Sequence, residues 1–189
     1  MRIAVSGTHA SGKSTLISDF VAAHPGYTAL PDPFELIDES DDAPNRRSFL
    51  AQLQVSAERL DGAENSSDVI AERCPLDFLA YLAALEHLDG LPLRVDVAER
   101  AQAISVAALD HLDLLVVLPL NSADEIWISE EENSALRAAM NDSLLELTDD
   151  TDYVGEHLHV VEIAGNRRRR LALLEAAIAT REQLQITER

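Results

Sequence analysis

Residues 7–14 read Gly-Thr-His-Ala-Ser-Gly-Lys-Ser, with Thr15 next, so two glycines bracket four residues and a lysine and a hydroxyl follow at once. This spacing suits the capture of phosphate. Gly7 and Gly12 let the backbone turn so that the amides of a short loop, including those of His9, Ala10 and Ser11, point inward at anionic oxygens. A helix opening at Lys13 adds its positive end. Lys13 can reach the terminal phosphates of a nucleotide, Ser14 offers an oxygen to Mg²⁺, and Thr15 continues the first turn. Lys13 is also the only lysine in the chain; the other 14 basic residues are arginines.

That single lysine narrows the nucleotide chemistry. Guanine-specific switches need an Asn-Lys-x-Asp element, which this chain cannot make. Motor and remodelling ATPases carry an aliphatic strand ending in Asp-Glu, whereas Leu114–Leu118 runs into Pro119-Leu120. A small-molecule phosphotransferase using ATP and Mg²⁺ is what remains.

A second informative stretch is Val69-Ile70-Ala71-Glu72-Arg73-Cys74-Pro75-Leu76-Asp77. It delivers a carboxylate and a guanidinium to the C-terminal end of a strand, where open α/β sheets bind ligands. Glu72 can hold Mg²⁺ through water, and Arg73 can clamp a phosphate or the acceptor. A strand-end ion pair is the plainer account of the same two residues. Asp77 falls in the first turn of the next helix, where a carboxylate complements the dipole.

The elements that must position these groups follow from periodicity and breakers. Ile3–Val5, Tyr27–Leu30, Val69–Ala71, Leu112–Leu118 and His157–Ile163 read as strands, Ile3–Val5 and Leu112–Leu118 as buried ones. Helical spacing marks Lys13–Ala23, Arg46–Ala63, Pro75–Leu88, Val95–Leu109, Ser134–Leu147 and Arg167–Leu184. Strands alternating with helices predict an α/β fold, a five-stranded parallel sheet covered on both faces. The 189 residues suit one domain, 1–189. Fifteen basic against 34 acidic residues give a net charge of −19, which repels nucleic acid and anionic membranes, so neither is an expected partner. One cysteine, Cys74, makes no internal disulfide and no zinc cluster. The opening MRIAVSG has no long apolar run, so a secretory leader is not expected and a cytoplasmic location is.

GTHASGKST together with ERCPLDFLAYLAA resembles the small P-loop kinases of the nicotinamide riboside kinase-like and deoxynucleoside kinase type. The resemblance implies a three-layer P-loop NTPase fold with the phosphate-loop strand central, a lid, and transfer of the ATP γ-phosphate to a small-molecule acceptor. It also implies a carboxylate after the second strand that orients or deprotonates the acceptor hydroxyl. Asp32 is the matching position, with Glu35 a second candidate and Glu72 an alternative for the same task; an Asp-Pro turn explains Asp32 without chemistry. Residues 121–150 are assigned to the lid segment and the helix that follows it. The segment's carboxylates Asp124, Glu125, Glu130, Glu131 and Glu132 outnumber Arg137, its one arginine, so Arg137 and Arg73 would share the stabilisation of developing charge. Among Arg167–Arg170, after the last strand, Arg167 is the candidate adenine contact. Gln52 and Gln54, on the helix lining the acceptor in such kinases, point to different faces. Trp127 lies in the lid segment, and His157 with His159 is read as structural. A nucleotide-binding regulatory module, or partner-dependent ATPase, is the rival reading, and a homodimer is left open.

Overall fold

The computed structural model describes residues 1–36, 45–62, 68–120 and 134–187. Five strands, β1 (Arg2–Ser6), β2 (Thr28–Leu30), β3 (Val69–Glu72), β4 (Leu114–Val117) and β5 (His159–Glu162), form one parallel sheet in the order β2-β3-β1-β4-β5. The strand that feeds the phosphate loop is therefore central, with a neighbour on each side. Asp124, Glu125, Trp127 and Glu130–Glu132 lie outside the described residues.

Alternation along the strands builds two cores. Ile3, Val5, Ile70, Leu114, Val116 and Leu118 face one side, against Leu16, Ile17 and Phe20 of α1 (Lys13–Ala23) and Leu174 and Ile178 of α7 (Arg167–Thr187). Ala4, Ala71, Leu115 and Val117 face the other. The small Ala4 and Ala71 let a thick helical layer approach there, made of α2 (Arg46–Gly62), α3 (Pro75–Asp89), α4 (Val95–Leu109), α5 (Ser134–Asp149) and the short α6 (Thr151–Val154). A 3₁₀ turn at Pro33–Leu36 and α6 were not expected from periodicity, since four residues are too few to show it.

Local chemistry sets several boundaries. Asn45 caps α2 by accepting the Ser48 amide at 2.9 Å. Arg46 then ties this end to the end of α3 through two bonds of 2.8 Å to Asp89. Gly90, with φ 69°, ends α3 in the left-handed conformation that favours glycine. No helix among the described residues is long and apolar enough to cross a membrane.

The α1 side carries the smaller of the two cores, and Phe20 is its large fully buried side chain, stacked on His24 at 4.5 Å and edge-on to Tyr27 at 4.9 Å. Phe20→Ala should destabilise the protein by about 3–5 kcal/mol, read as a shift in urea midpoint at constant slope.

Candidate active site

The loop between β1 and α1 is shaped by conformations that most side chains avoid. Gly7 has φ +148°, and a Cβ there would stand 2.8 Å from both the Leu118 carbonyl and Ser11 Oγ. Ala10 (φ 52°) and Gly12 (φ 88°) are left-handed as well. Within this loop the carbonyls of Gly7 to Ser11 are each held by a basic side chain. Arg73 Nη1 donates to Gly7 at 2.9 Å and Lys13 Nζ to Thr8 at 2.8 Å. Arg137 spans two, with Nε 3.0 Å from the His9 carbonyl and Nη2 3.3 Å from that of Ala10. Arg170 Nη1 donates to Ser11 at 2.5 Å, and the Gly12 carbonyl accepts the first helical bond from Leu16 at 3.1 Å.

The loop amides are in the opposite condition. Those of Ala10, Ser11, Gly12, Lys13 and Ser14 have no hydrogen-bond partner among the described residues. Gly12, the N-cap of α1, has no side chain with which to cap them. Ser11 Oγ is buried and also lacks a partner among the described residues. Buried polar groups are satisfied in nearly all native structures. A row of open donors at a helix N-terminus, with an orphaned hydroxyl among them, fits an anion.

Lys13 is only 3% exposed. Burial, reinforced by the charge of Arg73, lowers its pKa from 10.5 to about 7, against the opposing pull of Asp77, Glu72 and Asp32. Ser14 Oγ donates to Glu72 Oε1 at 2.9 Å, which brings both expected metal-side oxygens together across the β1–β3 register. Among the described residues no cluster of three His, Cys, Asp or Glu side chains is built to hold a metal alone.

On the other flank the sheet ladder runs one residue past β3, the Arg73 amide donating to Val5 at 3.0 Å. Arg73 then takes φ 67°, which swings its side chain back under the loop. Its Nε donates to Asp32 Oδ2 at 2.7 Å, Nη1 lies 3.4 Å from Asp77 Oδ1, and the guanidinium sits 5.6 Å from the Tyr81 ring centre. Burial works against its charge, but Tyr81, Asp32 and Asp77 outweigh it and hold the pKa above the ordinary arginine value. Asp32 is fixed from its other side by the Phe34 amide at 3.1 Å.

The structure thus brings Lys13 and Ser14 of α1, Asp32 after β2, Glu72 and Arg73 at the end of β3, and Arg137 of α5 around one loop. Arg167 stands apart: it forms a double contact of 2.5 and 2.6 Å with Asp19 and leaves 69% of its side chain exposed. Three residues on, Arg170 is the buried member of the arginine run and reaches the loop. Glu35 sits in the exposed 3₁₀ turn, and Thr15 is exposed on α1. Gln52 is buried, whereas Gln54 is exposed and donates to Glu58 at 2.9 Å. His157 lies just before β5, 3.5 Å from Asp110.

Sequence reading missed Arg170 and Tyr81. Tyr81 Oη accepts the His9 amide at 3.1 Å and its ring stacks on Phe49 at 4.5 Å. A signal existed for it, since Arg73, Asp77 and Tyr81 follow one another at four-residue steps and Asp77 and Tyr81 share a helix face.

This loop on the central strand of a five-stranded parallel sheet, with helices on both sides, defines the three-layer P-loop NTPase fold. Solved structures similar to the chain include nucleoside and nucleotide kinases. Thymidylate kinase from Candida albicans matches with a TM-score of 0.66 and 18% identity, over 95% of this chain and 91% of that one. Deoxyadenosine kinase from M. mycoides with bound dATP matches with a TM-score of 0.64 and 16% identity, over 95% and 100%. The same enzyme with dCMP and a flexible dCDP gives 0.59 and 16%. No protein-family model matches the chain, and no curated protein matches it.

The lowered pKa of Lys13 has a measurable consequence. Between about 7 and 10.5 the unfolded chain binds a proton at this lysine that the folded, unliganded protein lacks, so stability should rise with pH through that window. A phosphate anion beside Lys13 favours the charged form. At about pH 8.5, ATP binding should therefore take up close to one proton, seen by calorimetry in buffers of different ionisation enthalpy. Heats that do not depend on the buffer would mean that Lys13 is already charged.

Proposed function

We propose that this protein is an ATP- and Mg²⁺-dependent phosphotransferase that moves the γ-phosphoryl group to a hydroxyl of a small molecule, a nucleoside, nucleotide or related metabolite. The observation that carries the reading is the contrast within the loop: its carbonyls are held by four basic side chains, while the amides of residues 10–14 and the Ser11 hydroxyl have no partner among the described residues. Phosphoryl transfer asks a protein chiefly for positioning and for fixed positive charge. Lys13 and the loop amides would hold the β- and γ-phosphates. Arg73 and Arg137, already anchored to the loop, would face the charge that develops on the transferred group.

The donor set at Ser14 and Glu72, a hydroxyl and a carboxylate 2.9 Å apart, consists of the hard oxygens that magnesium prefers. Bound there with the nucleotide, the ion would neutralise phosphate charge. Asp32 would orient the acceptor hydroxyl and take its proton. Its salt link to Arg73 aims the carboxylate, and Pro31 and Pro33 stiffen the backbone on either side. The similarity to a thymidylate kinase and a deoxyadenosine kinase supports phosphotransfer with a nucleotide-type acceptor.

Incubation with ATP, Mg²⁺ and a pooled set of nucleosides, nucleotides and related metabolites, followed by mass spectrometry, should reveal one class gaining a phosphoryl group. Lys13→Ala should abolish the product while the circular dichroism spectrum is kept. ADP formed without any phosphorylated acceptor would overturn the kinase reading in favour of an ATPase module. Asp32→Asn should lower turnover by about 10²–10⁴-fold with little change in ATP affinity. Small, equal losses in both would reduce Asp32 to a turn residue.

A further inference from the structure

Asp77 has an ordinary duty on the first turn of α3, where its Oδ2 accepts the Cys74 amide at 3.0 Å. A helix cap needs one acceptor and no buried charge. Asp77 is instead wholly buried and engages three more donors. Oδ2 also takes the Ser6 hydroxyl at 2.5 Å, at the end of β1. Oδ1 takes the Gly7 amide at 2.9 Å and lies 3.4 Å from Arg73 Nη1. The two oxygens thus divide the work: Oδ2 serves the helix and strand ends, and Oδ1 serves the phosphate loop and the arginine.

We propose that Asp77 is a positioning residue for phosphate binding and transfer, fixing through Oδ1 the first amide of the loop and the Arg73 guanidinium in one frame. The bond withholds the Gly7 amide from any ligand and pins the loop at its origin. At that point the chain has no slack, because the Gly7 backbone already packs against the Leu118 carbonyl and Ser11 Oγ. Arg73 in turn bonds the Gly7 carbonyl, so carboxylate, peptide and guanidinium close a small ring. A shift of Asp77 would therefore move the loop and the arginine together. The inference rests on the loop's being the phosphate site, as argued above, and extends it to a residue that touches no phosphate.

Asp77→Asn tests the division of labour. The amide keeps the shape, and its oxygen can go on serving Cys74, but its NH₂ then faces two donors, the Gly7 amide and Arg73. ATP affinity should fall by about 10–100-fold, the range expected for an unsatisfied buried donor pair. Ser6→Ala, which breaks only an Oδ2 contact, should stay within about threefold of the wild type. A purely structural Asp77 predicts that affinity loss merely follows melting temperature across both variants, and that result would overturn the proposal. Should Asp77→Asn not fold, amide exchange in the ¹⁵N-labelled wild type decides. The Gly7 amide should be protected without nucleotide and shift little on adding ATP, while those of Gly12, Lys13 and Ser14 move. A Gly7 amide that is open, or that moves with the others, would overturn it. Wild-type protein that binds no ATP is a separate outcome, which strikes the phosphate-site reading itself and this inference with it.

Discussion

Everything at the site depends on which way six consecutive peptide groups face. A loop that offers its amides to an anion must turn its carbonyls elsewhere, and a buried carbonyl without a donor is destabilising. Here the donors are cationic and come from separate parts of the chain: Arg73 after β3, Lys13 at the start of α1, Arg137 on α5 and Arg170 on α7. The three arginines among them place positive charge at one point in a molecule whose formal charge is −19, and Lys13 can join them when an anion binds beside it. A single arrangement therefore satisfies the backbone and offsets the global field that would repel a polyphosphate.

The fold serves this arrangement by layers. The central position of β1 gives the loop a β3 neighbour on one side and a β4 neighbour on the other. The first brings Glu72 and Arg73 alongside; the second sets the Leu118 carbonyl against Gly7, so that only a glycine fits. The thick helical side supplies Tyr81 and Arg137, and the thin side supplies Arg170. The strained conformation of Arg73 belongs to the same picture. A non-glycine residue at φ 67° costs about 1–3 kcal/mol, and the bonds to Asp32, Asp77 and the Gly7 carbonyl hold it there.

Charge is balanced tightly within this cluster. Arg73 is matched by Asp32 and Asp77, while Lys13, buried beside Arg73, is the group left with a weakened hold on its proton. The unliganded site thus already stabilises one cation and leaves the other responsive to an incoming anion. A phosphate would complete that balance, which is the electrostatic counterpart of the open amides.

Local rules sufficed for the elements and for the motif. Apolar runs at Ile3–Val5 and Leu114–Leu118, helical spacing in Lys13–Ala23 and Val95–Leu109, and the glycine-lysine-serine spacing of residues 7–14 are properties of neighbouring residues, so the sequence alone determined the parallel α/β sheet and the glycine-bracketed loop within it. The pairing of Ser14 with Glu72, of Arg73 with Asp32, and of Arg137 with the carbonyls of His9 and Ala10 joins residues 41 to 128 positions apart. Four arginines in a row carry no mark of which one turns inward. Helix phase against the sheet selects Arg170 and leaves Arg167 to Asp19. Asp77 looked like a dipole partner for its own helix because two of the donors that engage it, Ser6 and Gly7, belong to β1 and the loop after it, about 70 positions away. Those choices were made by tertiary structure, since a hydrogen bond is decided by which surfaces the packed sheet brings together.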